Sequence, residues 1–268
     1  MITFINLKIQ RWGNMKNTYL LQLFIYSCFT LNLFSPLRAE VITARADKWC
    51  PYNCDPKSTS PGILIELMQI VFAKEGNTLD YDIMVWSEAM AEVRIGKFNA
   101  AVGIADGDSI EMIHTTTPQS TSYTCGFALN SSTKTINNAN DLIKFKSIGI
   151  IKDYTYGVHA DKVLTSMKKK VIAISSDDAL AVNIRRLLDG KIELLVDDPN
   201  VISYQLKNRK ITNIKKLGCT EDKNYTFIGF TKSNPKSKGW VEMLSKGQAE
   251  LEKSGRMSEI FIKYGIDK

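Results

Sequence analysis

Two cysteines frame an aromatic turn near the start of the chain, in the stretch W-C-P-Y-N-C over residues 49–54. Thiols at this spacing fit three kinds of chemistry: a redox-active pair, two metal ligands, or a structural disulfide. A redox pair normally stands as C-x-x-C at a helix N-terminus, where the thiolate is stabilised. Here one extra residue separates the cysteines, and Pro56 and Pro61 oppose a helix directly after them. A metal site needs more ligands, and the nearest histidine, His114, is distant in sequence.

The first 39 residues have the order of a secretory signal peptide. A short basic start at Met15 precedes a mostly apolar run from Tyr19 to Phe34, and Ala39 is a small residue suited to cleavage. A membrane anchor is the alternative, but an apolar run of about 16 residues is short for a span of roughly 20. We therefore predict that translation starts at Met15, that the leader is cleaved near Ala39, and that the protein is periplasmic.

Export would place the remaining cysteines in an oxidising compartment, and their even number favours disulfides. A bridge between Cys50 and Cys54 is locally feasible if Pro51 and Tyr52 make a tight turn. We predict such a structural staple, which would hold Trp49 and Tyr52 at the end of the first strand; free thiols and redox chemistry are the alternatives. The cysteines left after export are Cys50, Cys54, Cys125 and Cys219.

The net charge of +7 overstates how basic the exported protein is. The leader carries four basic residues and no acidic one, so the charge falls to +3 without it. That balance is too small to indicate a nucleic-acid partner. No second apolar run is long enough to span a membrane. The remaining residues, about 229 of them, suit one large domain or two small lobes, and we expect a monomer.

Strands and helices alternate after Ala39, with apolar residues at helical spacing in the helices. The predicted order is β-α-β-α-β in each half, which implies a parallel sheet covered by helices and two similar lobes with a cleft between them. Ser87 and the run from Ser176 to Asp178 are predicted helix N-caps. The predicted strands are 41–46, 79–85, 99–105, 147–151, 171–174 and 193–196, and the predicted helices are 61–74, 87–96, 156–169 and 176–190.

Three motifs carry a resemblance to a known family. P-Y at 51–52 followed by P-G-I-L-I-E at 61–66 resembles an aromatic turn and a G-[FY]-x-[IV]-[DE] helix start. Trp86 followed by G-K-F-N-A-A-V-G at 96–103 resembles a G-x-x-D-A strand, with Asn99 where Asp is usual. G-K-I-E-L-L-V-D-D-P-N at 190–200 resembles a second-lobe G-x-x-D-A-x-x-x-D segment. In this order they resemble the family 3 extracellular solute-binding proteins, the periplasmic receptors of polar amino acid transporters.

The resemblance implies an α/β protein with a type II periplasmic-binding fold. Lobe 1 would comprise residues 40–126 and 227–268, and lobe 2 residues 127–226. Two antiparallel strands, near Tyr123–Leu129 and Tyr225–Thr231, would cross between the lobes. Cys125 and Cys219 would both fall near the hinge side of lobe 2, where they could pair.

The resemblance also implies a ligand cleft between the lobes. Tyr52 and Trp86 would offer aromatic faces, although each could equally be a core residue. Asp197 stands where the family pairs a carboxylate with a ligand amino group, with a turn cap as the alternative. Thr155 follows a strand at a helix start, where backbone N–H groups favour an anion. The predicted ligand-binding residues are Tyr52, Trp86, Gly103, Ala105, Asp106, Thr155, Tyr156 and Asp197, with no metal or cofactor.

One departure bears on the ligand. Amino-acid-binding members carry an arginine after the lobe 1 strand, in a T-x-E-R segment, to grip the α-carboxylate. The corresponding stretch, D-G-D-S-I-E-M at 106–112, has no basic residue. The acids present therefore favour a cationic or amine ligand, or a zwitterion whose carboxylate is held by backbone donors.

The expected function is capture of a small amine-bearing, amino-acid-like ligand by hinge closure and its delivery to an ABC permease. The alternatives are a sensing module for a membrane receptor and a periplasmic dehydratase-like enzyme that would use Glu66 and Asp197 as acid and base. The enzyme is the weaker alternative, because the sequence has no G-x-S-x-G, H-E-x-x-H or comparable motif. We therefore predict a protein that is not an enzyme.

Overall fold

The computed structural model describes residues 39–105, 108 and 111–266. The predicted signal peptide and Asp106 therefore lie outside the described residues, apart from Ala39 at the leader's end. Residues 40–268 group as one compact unit. Within the described part of the chain, no helix combines the length and the apolar character needed to cross a membrane.

The described strands form one mixed sheet in the order β2-β1-β3-β9-β5-β8-β6-β7, and a short strand, β4, pairs with β9 on the side. The strands are β1 Val41–Ala46, β2 Thr78–Ile83, β3 Ala100–Ala105, β4 Met112–Ile113, β5 Ser120–Leu129, β6 Ile148–Ile151, β7 Val171–Ile174, β8 Leu194–Asp197 and β9 Ile214–Thr231.

Seven α-helices accompany these strands in the described residues. They are α1 Ile63–Lys74, α2 Trp86–Arg94, α3 Val158–Met167, α4 Ala179–Leu188, α5 Pro199–Asn208, α6 Ser237–Lys253 and α7 Arg256–Lys263. All ten strands and helices predicted from the sequence exist, each with ends within a few residues of the prediction. Strong hydrophobic periodicity explains this agreement.

Two parallel groups of strands lie at opposite ends of the sheet. We call β1–β3 with α1, α2, α6 and α7 lobe 1, and β6–β8 with α3–α5 lobe 2. β1 is parallel to β2 and β3, and β6 is parallel to β7 and β8. β5 and β9 are antiparallel to each other and extend between the two groups. The predicted lobe boundaries fall inside these two strands and stay a prediction.

Helix α1 places the aromatic turn against the core of lobe 1. Most of its apolar side chains between Ile63 and Phe72 are buried. The helix begins after Gly62, whose φ of 118° is rarely adopted by other residues. A Cβ at this position would stand 2.3 Å from the carbonyl oxygen of Tyr52. Glycine therefore lets the helix start directly against the turn.

Neither predicted N-cap accepts a backbone N–H with its side chain. Helix α2 begins one residue earlier than predicted, at Trp86, so Ser87 lies inside the helix and Val85 is the N-cap. Burial of the Trp86 side chain favours this start, because it outweighs the roughly 1 kcal/mol of a side-chain cap. Asp178 is the N-cap of α4 but its carboxylate caps no N–H; it lies 3.4 Å from Arg209 instead.

Candidate functional site

A disulfide between Cys50 and Cys54 closes the aromatic turn and confirms the predicted staple. Within the turn, the N–H of Trp49 donates to Asn53 O at 2.9 Å, and the N–H of Tyr52 donates to Trp49 O at 3.0 Å. Asn53 ties the turn to lobe 1, because its amide donates to Val102 O at 2.9 Å. The turn therefore presents Trp49, Tyr52 and Asn53 from a fixed backbone.

A small cavity lies between the lobes, beside this turn. Its volume is about 50 Å³, well below the roughly 300–1,000 Å³ of a small-molecule site. Gly103, with φ 101°, leaves room for the Asn53 amide, since an added Cβ would come within 3.0 Å of Nδ2. The lining residues are Asp47, Trp49, Asn53, Trp86, Gly103, Ala105, Asp108, Ser122, Tyr154, Thr155, Asn224 and Thr226.

Direct hydrogen bonds between the two walls keep this cavity small. Each uses a lobe 1 side chain and a lobe 2 partner, so the cleft is closed by the protein's own groups. The pairs are Trp49 Nε1 to Asp197 Oδ1 at 3.1 Å, Trp86 Nε1 to Asp153 O at 3.2 Å, Asn200 Nδ2 to Tyr52 Oη at 3.0 Å, Thr155 Oγ1 to Asp108 Oδ1 at 3.0 Å, and Tyr154 Oη to Asp47 Oδ2.

The Tyr154 side chain lies between the two walls of the cavity. Its ring packs against all three hydrophobic clusters of the described residues and meets Trp86 edge-on at 6.0 Å. The residue before it, Asp153, has φ 62°, a conformation that costs energy for a residue other than glycine. Strained backbone thus aims the Tyr154 hydroxyl at Asp47.

Two buried carboxylates from opposite lobes dominate the electrostatics. Burial raises the pKa of Asp47 to about 6, although the hydrogen bond from Tyr154 opposes the rise. Burial raises the pKa of Asp197 to about 7, and the charges of Asp198 and Asp47 add to it. None of the described residues that line the cavity is a lysine or arginine. Both carboxylates therefore lack a cationic partner within the cavity wall, which is costly for a buried charge.

Two buried oxygen atoms near the cavity have no hydrogen-bond partner in the described residues. They are Oδ1 of Asn53, which lines the cavity, and Oδ2 of Asp197. Buried acceptors are almost always satisfied. These two can therefore accept hydrogen bonds from a bound N–H or O–H group. No three metal-ligating side chains come together in the described part of the chain.

Four of the eight predicted ligand-binding residues line the cavity: Trp86, Gly103, Ala105 and Thr155. Tyr52 lies behind the wall and is bonded to Asn200. Tyr156 is buried in lobe 2, where its hydroxyl accepts from Ile151 N at 2.8 Å. Asp197 lies behind Trp49. The ligand-binding roles of all eight residues, including the undescribed Asp106, stay predictions.

The role of turn cap, which was the alternative for Asp197, belongs to its neighbour Asp198. Asp198 Oδ1 accepts from Asn200 N at 2.8 Å and Val201 N at 3.2 Å, which caps helix α5. Asp197 Oδ1 accepts from Asp198 N and Trp49 Nε1 instead. Within the D-D-P-N run, the first aspartate therefore bonds to Trp49 of the cavity wall and the second caps the helix.

Sequence reasoning assigned no site role to eight lining residues. Asp47 and Trp49 follow a buried strand directly, which was a usable signal because strand ends meet at the cleft. Asn53 and Tyr154 stand inside segments already singled out, but only the fold shows which neighbour points inward. Asp108 could not be placed, because its role depends on a contact with the other lobe. The eight are Asp47, Trp49, Asn53, Asp108, Ser122, Tyr154, Asn224 and Thr226.

A second disulfide joins Cys125 and Cys219, the pairing that the resemblance suggested. The two cysteines lie opposite each other on β5 and β9, the strands that connect the lobes. Cys125 is also in register with Asp197 on β8. The bridge therefore holds the connecting strands together at the point where they enter lobe 2, beside one of the cleft carboxylates.

No protein-family model matches the chain, and no curated protein matches it. Solved structures do. A histidine kinase sensor domain with similarity to periplasmic binding proteins has a TM-score of 0.72 at 20% identity, covering 85% of this chain and 96% of its own. An ancestral arginine-binding protein bound to arginine gives 0.71 at 18%, covering 84% and 97%. An amino acid ABC transporter substrate-binding protein from Streptococcus pneumoniae bound to L-arginine gives 0.67 at 19%, covering 86% and 98%.

The fold is the type II periplasmic-binding-protein fold. Two α/β lobes joined by two crossing strands are common to these neighbours and to this chain, and the predicted fold class is confirmed. At these identities the likeness establishes the fold alone, so the ligand has to be argued from the cleft.

Proposed function

We propose that the protein is an exported solute-binding protein that captures a small amine-bearing ligand between its lobes and delivers it to an ABC permease. The lobes would open and close about β5 and β9. Closure would remove the ligand from water and strengthen its electrostatic contacts.

One observation carries the proposal: aromatic rings and carboxylates line a cavity that has no basic residue in its described wall. Asp47 lines it from lobe 1, Asp197 of lobe 2 lies behind Trp49, and each is more than nine-tenths buried. The rings of Trp49, Trp86 and Tyr154 favour a cation as well. A bound ammonium group would supply the partner that the two carboxylates lack.

The hydrogen bonds across the cleft are compatible with movement of the lobes, because they do not belong to the sheet that connects them. They are made by side chains at the cavity, whereas the two strands between the lobes carry the covalent connection and the Cys125–Cys219 bridge. Breaking a handful of side-chain contacts would open the cleft and leave the sheet intact. A ligand larger than the 50 Å³ cavity needs such an opening to enter.

The neighbours support binding over catalysis, since several of them are named as amino-acid-binding proteins. Glu66, the second carboxylate of the enzyme alternative, bonds to Lys263 and to Tyr264 Oη at 2.6 Å and does not line the cavity. Sensing is the second candidate, favoured by the likeness to a histidine kinase sensor domain.

The direct test is thermal unfolding of residues 40–268 with a panel of amines, amino acids, small peptides and organic acids. A ligand at a thousandfold excess over its Kd stabilises by about 4 kcal/mol, or roughly 8–16 °C in a protein of this size. We expect the shift with amines, and its loss in Asp197→Asn. A matched control is Asp177→Asn, an exposed aspartate of the same lobe. Shifts with organic acids alone, or an Asp197→Asn protein that binds amines as well as the parent, would contradict the proposal.

Experiments in cells can distinguish transport from sensing. Deleting the gene should abolish uptake of the labelled amine if the protein serves a permease. Unchanged uptake, together with loss of a transcriptional response to the amine, would assign it to a receptor instead.

A further inference from the structure

Asp108 makes an unusual pair of contacts at the rim of the cavity. Its Oδ2 accepts from the backbone N–H of Ala105 at 3.0 Å, and its Oδ1 accepts from the Thr155 hydroxyl at 3.0 Å. Ala105 ends strand β3 in lobe 1, and Thr155 follows β6 in lobe 2. One side-chain carboxylate is therefore held by a donor from each lobe, as a bound carboxylate would be.

These two donors are placed where they could hold the carboxylate of a zwitterionic ligand. Ala105 N–H is a backbone donor at the end of a strand, and Thr155 stands shortly before helix α3. Both residues line the cavity, and Asp108 lines it with them. A ligand carboxylate would have to displace Asp108 from its donors, or sit beside a like charge without them. No basic side chain in the described cavity wall could offset that repulsion.

The rest of the cavity offers the opposite environment. Asp47 and the unpartnered Oδ1 of Asn53 are acceptors, and the rings of Trp49, Trp86 and Tyr154 line the cavity. Ammonium and guanidinium groups satisfy both features, because they donate hydrogen bonds and stack on aromatic rings. The cavity thus has several groups for a cation, whereas the two donors that a carboxylate could share between the lobes are already occupied by Asp108.

We propose that Asp108 is a built-in substitute for a ligand carboxylate, and that the ligand is an organic cation without a carboxylate group. The inference rests on the proposed function and names the ligand class of the same cleft. It separates this protein from its arginine-binding neighbours in ligand while the fold is shared.

The test compares cations that differ only in the carboxylate. Calorimetric titrations of residues 40–268 would use agmatine against arginine and putrescine against ornithine. We expect the decarboxylated member of at least one pair to bind about tenfold more tightly or better, the range of one charged interaction. Asp108→Ala frees Ala105 N–H and Thr155, so the preference should shrink by about tenfold or reverse.

Glu111→Ala is the matched control, because Glu111 is a nearby exposed carboxylate that pairs with Arg94 at 2.8 Å and does not line the cavity. It removes the same charge and should leave the preference unchanged. Melting curves of both variants check that the fold is retained.

The outcomes distinguish the two proposals. Arginine and ornithine each binding as tightly as its amine would overturn this inference and leave the proposed function standing. An Asp108→Ala protein with the parent's preference would overturn the role of Asp108. If the proposed function itself fails, neither member of either pair binds, and this inference falls with it.

Discussion

Two carboxylates, Asp222 on β9 and Asp197 on β8, have pKa values shifted in opposite directions. Both have little exposed surface, at 7% and 3%, but Asp197 lies deeper in the protein. Burial raises the pKa of Asp222, but hydrogen bonds from the N–H groups of His159 and Ala160 outweigh it and bring the pKa below its usual range. Asp197 has two donors on one oxygen and none on the other, and its pKa rises to about 7.

The comparison shows that hydrogen-bond donors, together with depth of burial, distinguish a structural carboxylate from one available to a ligand. Asp222 Oδ1 and Oδ2 accept from the first turn of α3, at 3.0 Å from His159 N and 2.9 Å from Ala160 N. That helix end is satisfied in the manner of a cap. Among the described residues, Asp197 is left with one unpaired oxygen behind Trp49, which can accept a hydrogen bond from a cation.

The largest expected effect comes from truncating Asp222. Asp222→Ala leaves the two N–H groups of α3 without their acceptor and should destabilise the protein by about 3 kcal/mol, or roughly 6–12 °C in melting temperature. Asp197→Asn should leave the melting temperature near neutral pH unchanged or slightly raised, since it removes a charge that burial disfavours. Thermal unfolding without ligand measures both. The comparison would be contradicted if Asp197→Asn lowered the melting temperature as much as Asp222→Ala does, or if Asp222→Ala had the melting temperature of the parent.

Much of the fold could be predicted from the sequence, and part of the site could not. β1 and β7 have the predicted ends, because short apolar runs between turn residues specify them locally. Trp86 and Thr155 line the cavity, and both follow strand ends that the sequence indicates. The contact of Asp108 with Thr155 joins residues 47 positions apart on different lobes. Local pattern carries no information on that contact, so its consequence for the ligand required the fold.

The next effect concerns pH. The folded-state pKa values of Asp47 and Asp197, about 6 and about 7, lie above the ordinary carboxyl value of 3.8. The folded protein therefore binds these protons more tightly than the unfolded chain does, so their stabilising contribution is complete below about pH 4 and is lost as pH rises through 6–7. Without ligand, the melting temperature should be several degrees higher at about pH 5 than at about pH 8.

The double variant Asp47→Asn, Asp197→Asn should lose this part of the pH dependence. Carboxylates whose pKa lies below the usual range, such as Asp222 and Asp141, act at lower pH and do not interfere in this window. Amine affinity should change in the opposite direction, weakening below about pH 6, because a cation requires the ionised carboxylates. An identical pH profile in the parent and the double variant would remove the two carboxylates as the cause.

The smallest expected effect tests the contact that closes the cleft. The Tyr154 hydroxyl holds Asp47, so an amine that binds Asp47 must displace it. Tyr154→Phe keeps the ring against Trp86 and removes the competitor. We expect amine affinity to rise a few-fold, in line with about 1 kcal/mol for one hydrogen bond, while the melting temperature without ligand falls by roughly 2–4 °C. Tyr81→Phe is the control, since that hydroxyl donates to Cys54 O outside the cavity. A loss of affinity in Tyr154→Phe would mean that the hydroxyl contacts the ligand, and that Asp47 and Tyr154 act together as its binding site.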